Sequence, residues 1–342
     1  MTYDQFFKDL KAGQLRPAYL FYGPEQLVKQ TALEQLQKKL LPAGLEALNY
    51  NLFDTNAAAR DVIEAAETLP MMCERRLVVV RDWAPLKPGK ARDEGAQSEE
   101  MEKWLPRIPD TCCVVFAMDD APDNRKKLVK QMSSQVEWVE FPLLTDAKIY
   151  TWLNQQLRPL GRHIEQDAVS QLVFMAGRPL TGLKNELDKL TAYVGEQTSI
   201  TQQDVEAVVT PSGECTVFQM IDCVLQGEPA RAQLLLKQLL ENGENCVGVL
   251  YMLTRQLRIM THIRLMREQG MALPEIEKKL ALNHYAATRS AGQAARFAPR
   301  RLEESYRACV ETDYAIKSGR ARDNAALDYL IFTLASAKPV AR

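Results

Sequence analysis

At 342 residues the chain exceeds the usual size of one hydrophobic core, so two or three domains are expected, each folding without metal or disulfide help. Its 43 Lys and Arg stand against 44 Asp and Glu, which excludes a global field drawing it onto nucleic acid or anionic lipid and leaves only local patches for DNA. Seven cysteines without a Cys-x-x-Cys pair exclude a zinc or disulfide framework and read as reduced core thiols.

The first eight residues, Met1 to Lys8, are acidic and aromatic where a secretory signal would be basic and then apolar. No later stretch offers the roughly 18 uninterrupted apolar residues of a membrane span. A soluble, cytoplasmic protein is expected.

Short apolar runs at 18–22, 48–53, 77–80, 112–117 and 136–139 alternate with helical patterns, the rhythm of a parallel sheet with crossover helices. Leu33, Leu36 and Leu40 form one helical stripe for packing on that sheet. Cys112 and Cys113, adjacent on a strand, must point to opposite faces and cannot share a ligand. The stretch 85–100, with its Pro-Gly-Lys and Asp-Glu-Gly content, reads as a mobile surface loop.

From 145 the strands are expected to stop. Helices at 146–157, 165–176 and 180–194 end before or at glycines, and a short fourth at 202–209 opens with Thr201 and Asp204 at capping-box spacing. Residues 210–214 have linker composition; beyond them helices at 217–226, 230–240, 247–267 and 299–317 predict an all-helical bundle. The fold class expected is therefore α/β plus all-α.

A parallel sheet whose first strand meets a glycine turn and a helix is where a phosphate loop would sit. Here Gly23 and Lys29 keep the spacing, but Val28 replaces the second glycine and Gln30 replaces the hydroxyl that holds magnesium. Glu25 adds negative charge where phosphates would lie. After 77–80 come Arg81 and Asp82, and an arginine at the metal position repels Mg²⁺. His163, His262 and His284 are scattered, and no nucleophile motif occurs, so neither a catalytic residue, a metal site nor a cofactor is expected.

With this order of domains, the stretches Ala18 to Glu25, Leu69 to Val80 and Asn185 to Leu190, then Phe218 to Asp222, Arg255 to Arg258 and Asp313 to Lys317, carry a resemblance: the chain resembles the delta subunits of bacterial DNA polymerase III clamp loaders. It implies an AAA+-like (RecA-like) domain without a working nucleotide site at 1–142, a helical lid at 143–210 and a helical collar at 211–342. It also implies a non-catalytic component of the polymerase holoenzyme that binds and opens the sliding clamp (beta) for loading onto primed DNA.

The implied clamp-binding wedge is Leu69, Pro70, Met71 and Met72, with Pro70 ending the preceding helix and stiffening the display. The bland alternative places both methionines under the third strand, although adjacent residues cannot both face one core in a regular strand. The chain departs from the family in having methionine where an aromatic residue is common, and Glu67 where the best-known version has glutamine. Gln135 and Thr181 fall where the loader's ATPases carry an arginine finger and a lid arginine. Further implied partners are the gamma/tau and delta-prime subunits, and primer-template DNA within the assembled loader. Arg289, Arg296, Arg300, Arg301 and Arg307 form the one basic concentration, beside Glu303 and Glu304. Rival readings are an active ATPase of the same superfamily, such as a helicase loader, and a helical adaptor unrelated to replication.

Overall fold

The computed structural model describes residues 1–89 and 94–336. They divide into two compact units, one within 1–144 with 179–181, and the other within 145–178 with 182–336.

The first unit runs α1 (Tyr3–Ala12), β1 (Ala18–Tyr22), α2 (Gln26–Leu40), α3 (Glu46–Asn49), β2 (Tyr50–Phe53), α4 (Ala59–Glu67), β3 (Arg76–Arg81), α5 (Glu94–Trp104), β4 (Cys112–Met118), α6 (Lys127–Gln135) and β5 (Glu137–Glu140). The five strands form one parallel sheet in the order β2-β3-β4-β1-β5, so β1 sits between β4 and β5. Parallel strands joined by crossover helices are covered on both faces, and their sequences lose the polar alternation of a half-exposed sheet. All seven residues of β4 are accordingly buried.

Side chains leave the pleat alternately, so two cores form. Val78, Val80, Cys112, Val114 and Phe116 pack with Trp83, Met101 and Trp104 on one face. Leu77, Val79, Cys113 and Val115 pack with Phe6, Ala32 and Leu36 on the other. The adjacent cysteines do lie on opposite faces.

Two local expectations need correcting here. The segment 85–100 is not a surface loop throughout. Pro85 and Leu86 are buried in a 3-10 turn, Ala84–Leu86, and α5 begins at Glu94. Met101 and Trp104, one helical turn apart, carry that helix into the core, and burial of the pair outweighs the polar composition around it. Residues 90–93 of the expected loop lie outside the described residues. The run 48–53 likewise splits: Leu48 and Asn49 end α3, and the strand begins at Tyr50.

The second unit runs α7 (Asp146–Leu157), β6 (His163–Ile164), α8 (Gln166–Ala176), α9 (Leu180–Tyr193), β7 (Ser199–Ile200) and α10 (Gln202–Val208). It continues with α11 (Gly213–Gln226), α12 (Pro229–Glu241), α13 (Cys246–Glu268), α14 (Leu273–Leu280), α15 (His284–Arg296), α16 (Pro299–Lys317) and α17 (Asp323–Ser336). The first two residues of α9 belong to the first unit. Strands therefore do not stop at 145: β6 and β7 form a parallel pair, each two residues long and too short to leave a periodic signature. The capping box at Thr201 and Asp204 forms in both directions. A single core unites Val217, Ile221, Leu236, Leu253, Leu257, Leu302, Leu327 and Ile331 from α11, α12, α13, α16 and α17. Among the described residues, no helix is long and apolar enough to cross a membrane.

Trp104→Ala tests the revised assignment of α5. The ring is 2% exposed and its indole N–H donates to Glu67 Oε1 at 3.0 Å, so the substitution should cost about 3–5 kcal/mol in chemical denaturation of the full chain. An unchanged unfolding midpoint would return this segment to a loop.

Candidate functional site

The first candidate region lies at the C-terminal ends of β1, β3 and β4, where open parallel sheets bind ligands. A cleft of about 370 Å³ is lined by Gln26, Lys29, Gln30, Leu33, Arg81, Asp82, Ala117 and Asp119. Its lysine is already occupied. Lys29 Nζ donates to Gly23 O at 3.1 Å, Met118 O at 2.6 Å and Asp119 Oδ1 at 3.1 Å, and the residue is 4% exposed. Three acceptors satisfy the three protons of an ammonium and leave none for a phosphate oxygen. Burial opposes the charge on Asp119, but hydrogen bonds from Gln26 and Lys29 outweigh it and hold the carboxyl below its ordinary value.

The neighbours of Lys29 are equally committed. Gly23 has φ 125°, and a Cβ there would lie 2.5 Å from the Phe141 carbonyl oxygen, so close backbone approach alone accounts for this glycine. Asp82, at φ 50°, accepts from the Asp119 amide at 3.2 Å and pairs with Lys87 at 3.2 Å. Val28 packs into the core beneath the sheet, and Arg81 is exposed at the strand end. Gln135 closes α6 and Thr181 is an exposed residue near the start of α9, so neither position carries a cation.

Glu25, the residue just before α2, is not among the residues that line the cleft. It is fully buried, its Oε2 accepts from the Leu180 amide at 3.3 Å, and its Oε1 has no partner. Desolvation raises its pKa, and the hydrogen bond from the Leu180 amide opposes the rise.

The second candidate region is the connection between α4 and β3. Helix α4 stops at Glu67, and Thr68 turns to extended backbone at ψ 127° ahead of Leu69 and Pro70. Leu69, Met71 and Met72 are 72%, 55% and 83% exposed. Such a run of large apolar side chains stands out against the buried strand that follows. Met72 has φ 57°, the left-handed region that non-glycine residues seldom occupy. The bland alternative fails, since neither methionine caps a core. Glu67 is held by the Trp104 indole.

The basic concentration in the second unit is largely spoken for. Arg289 and Arg296 pair with Asp222 at 3.3 and 3.7 Å, Arg300 with Glu304 at 2.9 Å, and Arg307 with Glu303 at 3.1 Å. Arg301 donates to the carbonyls of Val224 and Leu334. Among the described residues no His, Cys, Asp and Glu group is arranged to hold a metal ion. Burial pushes the thiols of Cys112 and Cys309 up to about 12, so both stay protonated.

Residues 19–142 match the family model for the DNA polymerase III delta subunit, and residues 214–334 match that for its C-terminal domain. The chain belongs to the DNA polymerase III delta subunit family. It is 24% identical to DNA polymerase III subunit delta of Bacillus subtilis over 98% of this chain and 97% of that one. The Escherichia coli subunit is 20% identical over 76% and 74% of the two chains. The solved structure of the Bacillus subtilis DNA clamp loader delta protein shares the fold, with a TM-score of 0.50, 22% identity and coverage of 97% and 99%. The chain thus shares the fold of that clamp loader delta protein and is a delta-family subunit of DNA polymerase III.

Because the folded pKa of Glu25 lies above its unfolded value, its contribution to stability is complete below about 4.5 and is lost as pH rises through the folded value. Glu25→Gln should therefore raise the unfolding midpoint at neutral pH and flatten its fall above the acid range. Thermal melts of the two proteins from pH 4 to 8 check this, and a lower midpoint for the variant at pH 7 would contradict it.

Proposed function

We propose that this delta-family chain binds the sliding clamp (beta) through Leu69, Pro70, Met71 and Met72 and opens its ring for loading onto primed DNA, without binding or hydrolysing ATP itself. The observation that carries the reading is the exposed apolar run on the loop before β3. Burying each methionine contributes roughly 1.5 to 3 kcal/mol, and an unbranched thioether adapts to an existing pocket. Ring opening then follows from tighter binding to the open clamp than to the closed one, the one way a ligand shifts such an equilibrium.

The cleft supports the nucleotide-free part of the proposal. A phosphate would have to displace Gly23 O, Met118 O and Asp119 from Lys29, and Arg81 beside it disfavours Mg²⁺. The rival active ATPase has no phosphate-binding group left free at that lysine. ATP therefore enters through the gamma/tau subunits, and this chain is a non-catalytic component of the holoenzyme.

In the same reading, residues 1–142, 143–210 and 211–342 act as AAA+-like, lid and collar domains of a cytoplasmic protein. The collar packs with gamma/tau and delta-prime. Exposed Val310 and Tyr314 on α16, and Tyr329 and Phe332 on α17, supply apolar surface for it. Contact with primer-template DNA belongs to the assembled loader, because most of the local arginines are paired within the chain.

The test is binding of the full chain to the cognate clamp by calorimetry, with and without ATP and Mg²⁺. Met71→Ala/Met72→Ala should lose at least about 100-fold in affinity with an unchanged circular dichroism spectrum, and nucleotide should not alter wild-type binding. Full affinity in the folded double variant would overturn the wedge, and saturable ATP binding would overturn the inert cleft.

A further inference from the structure

We infer that Asn49 is a positioning residue for clamp binding, holding the loop between α4 and β3 in its displayed form before any partner arrives. This rests on the clamp-binding reading of Met71 and Met72.

Asn49 is the last residue of α3, and its side chain is fully buried. Both halves of its amide engage the backbone of one residue, Met71, 22 residues away. The Met71 N–H donates to Asn49 Oδ1 at 2.7 Å, and Asn49 Nδ2 donates to Met71 O at 2.9 Å. A second Nδ2 bond, to Leu45 O at 3.1 Å, fixes the amide in its own turn. The side chain thus pairs with Met71 as a neighbouring strand would, exchanging a donor and an acceptor with the same residue. An asparagine amide offers a carbonyl acceptor and an N–H donor side by side, and glutamine is longer by one methylene.

The stem of the loop is held independently. Arg76, 5% exposed at the start of β3, donates to Thr68 O at 3.1 Å and to Asn51 Oδ1 at 2.6 Å. With Thr68 and Met71 pinned, the residue that follows adopts the left-handed backbone, Met72 at φ 57°. A methionine persists there only where its surroundings hold it. The consequence is a loop that presents Leu69, Met71 and Met72 to solvent with its backbone already set.

An ordered loop changes affinity through the fraction of molecules competent to bind. When that fraction falls, the apparent dissociation constant rises in proportion, and the association rate falls while dissociation of the formed complex changes little. A purely structural role for Asn49 would lower stability without that kinetic split.

The experiment compares clamp binding by surface plasmon resonance for wild type, Asn49→Ala and Met71→Ala/Met72→Ala, all as full chains. Asn49→Ala should bind about 10- to 30-fold more weakly, mostly through slower association, as expected for two lost hydrogen bonds to the Met71 backbone. Its Met71 and Met72 methyl resonances should collapse toward random-coil positions while those of buried Met118 and Met132 stay in place. If the double methionine variant loses binding but Asn49→Ala binds as wild type, this inference fails and the wedge stands. If the double methionine variant still binds, the clamp reading itself fails. Should Asn49→Ala not fold, wild-type hydrogen exchange decides: a protected Met71 amide supports the inference, and exchange at the free-peptide rate overturns it.

Discussion

A buried ammonium must be fully met by acceptors, and the way Lys29 is met organises the first unit. Its three partners belong to the turn after β1, the last residue of β4 and the residue just beyond it, so one side chain of α2 ties the central strand β4 to its neighbour β1 at their C-terminal ends. The turn it holds is fixed again from the far side, where the Glu25 amide donates to Phe141 O and Gly23 passes too close to Phe141 for any side chain. Residues spaced as a phosphate loop thus serve as an internal joint. Removing one acceptor would leave a charge uncompensated in a nearly closed site, which costs far more than an exposed ion pair returns.

The second consequence is spatial. The remnant cleft lies at the C-terminal end of β3, by Arg81, and the exposed loop precedes its N-terminal end, at Arg76. Six residues of strand separate the two by roughly 20 Å. The cleft and the exposed apolar loop therefore lie at opposite ends of one strand. None of the partners of Lys29 lies in the loop, and the strand supplies a base from which the apolar side chains project.

Much of this was legible in the sequence because the strongest local signals agreed with the final packing. The bounds expected for β1 at 18–22 and α7 at 146–157 coincide with the structure, since a wholly apolar run and an acidic first turn each admit one interpretation. The exposed Met71 and Met72 were found through family likeness, with proline as the physical cue. The missed features depended on long-range partners. Asn49 stood inside an apolar run and showed nothing of its bonds to Met71, while Glu25 was read by position along the chain when its carboxylate in fact meets Leu180. Helices α14 and α15 escaped notice because alanine and lysine dilute their apolar stripe, yet Ile276 and Ala291 bury a small core with Ile263.

The central claim, that this chain opens the clamp with no nucleotide in its own cleft, is tested most directly by a fluorophore pair placed across one ring interface of the cognate clamp. Addition of the full chain alone, without ATP, should lower energy transfer to a saturating level that matches the binding curve. Binding that leaves energy transfer unchanged would contradict the account, for it would make the exposed loop a tether and leave ring opening to another subunit.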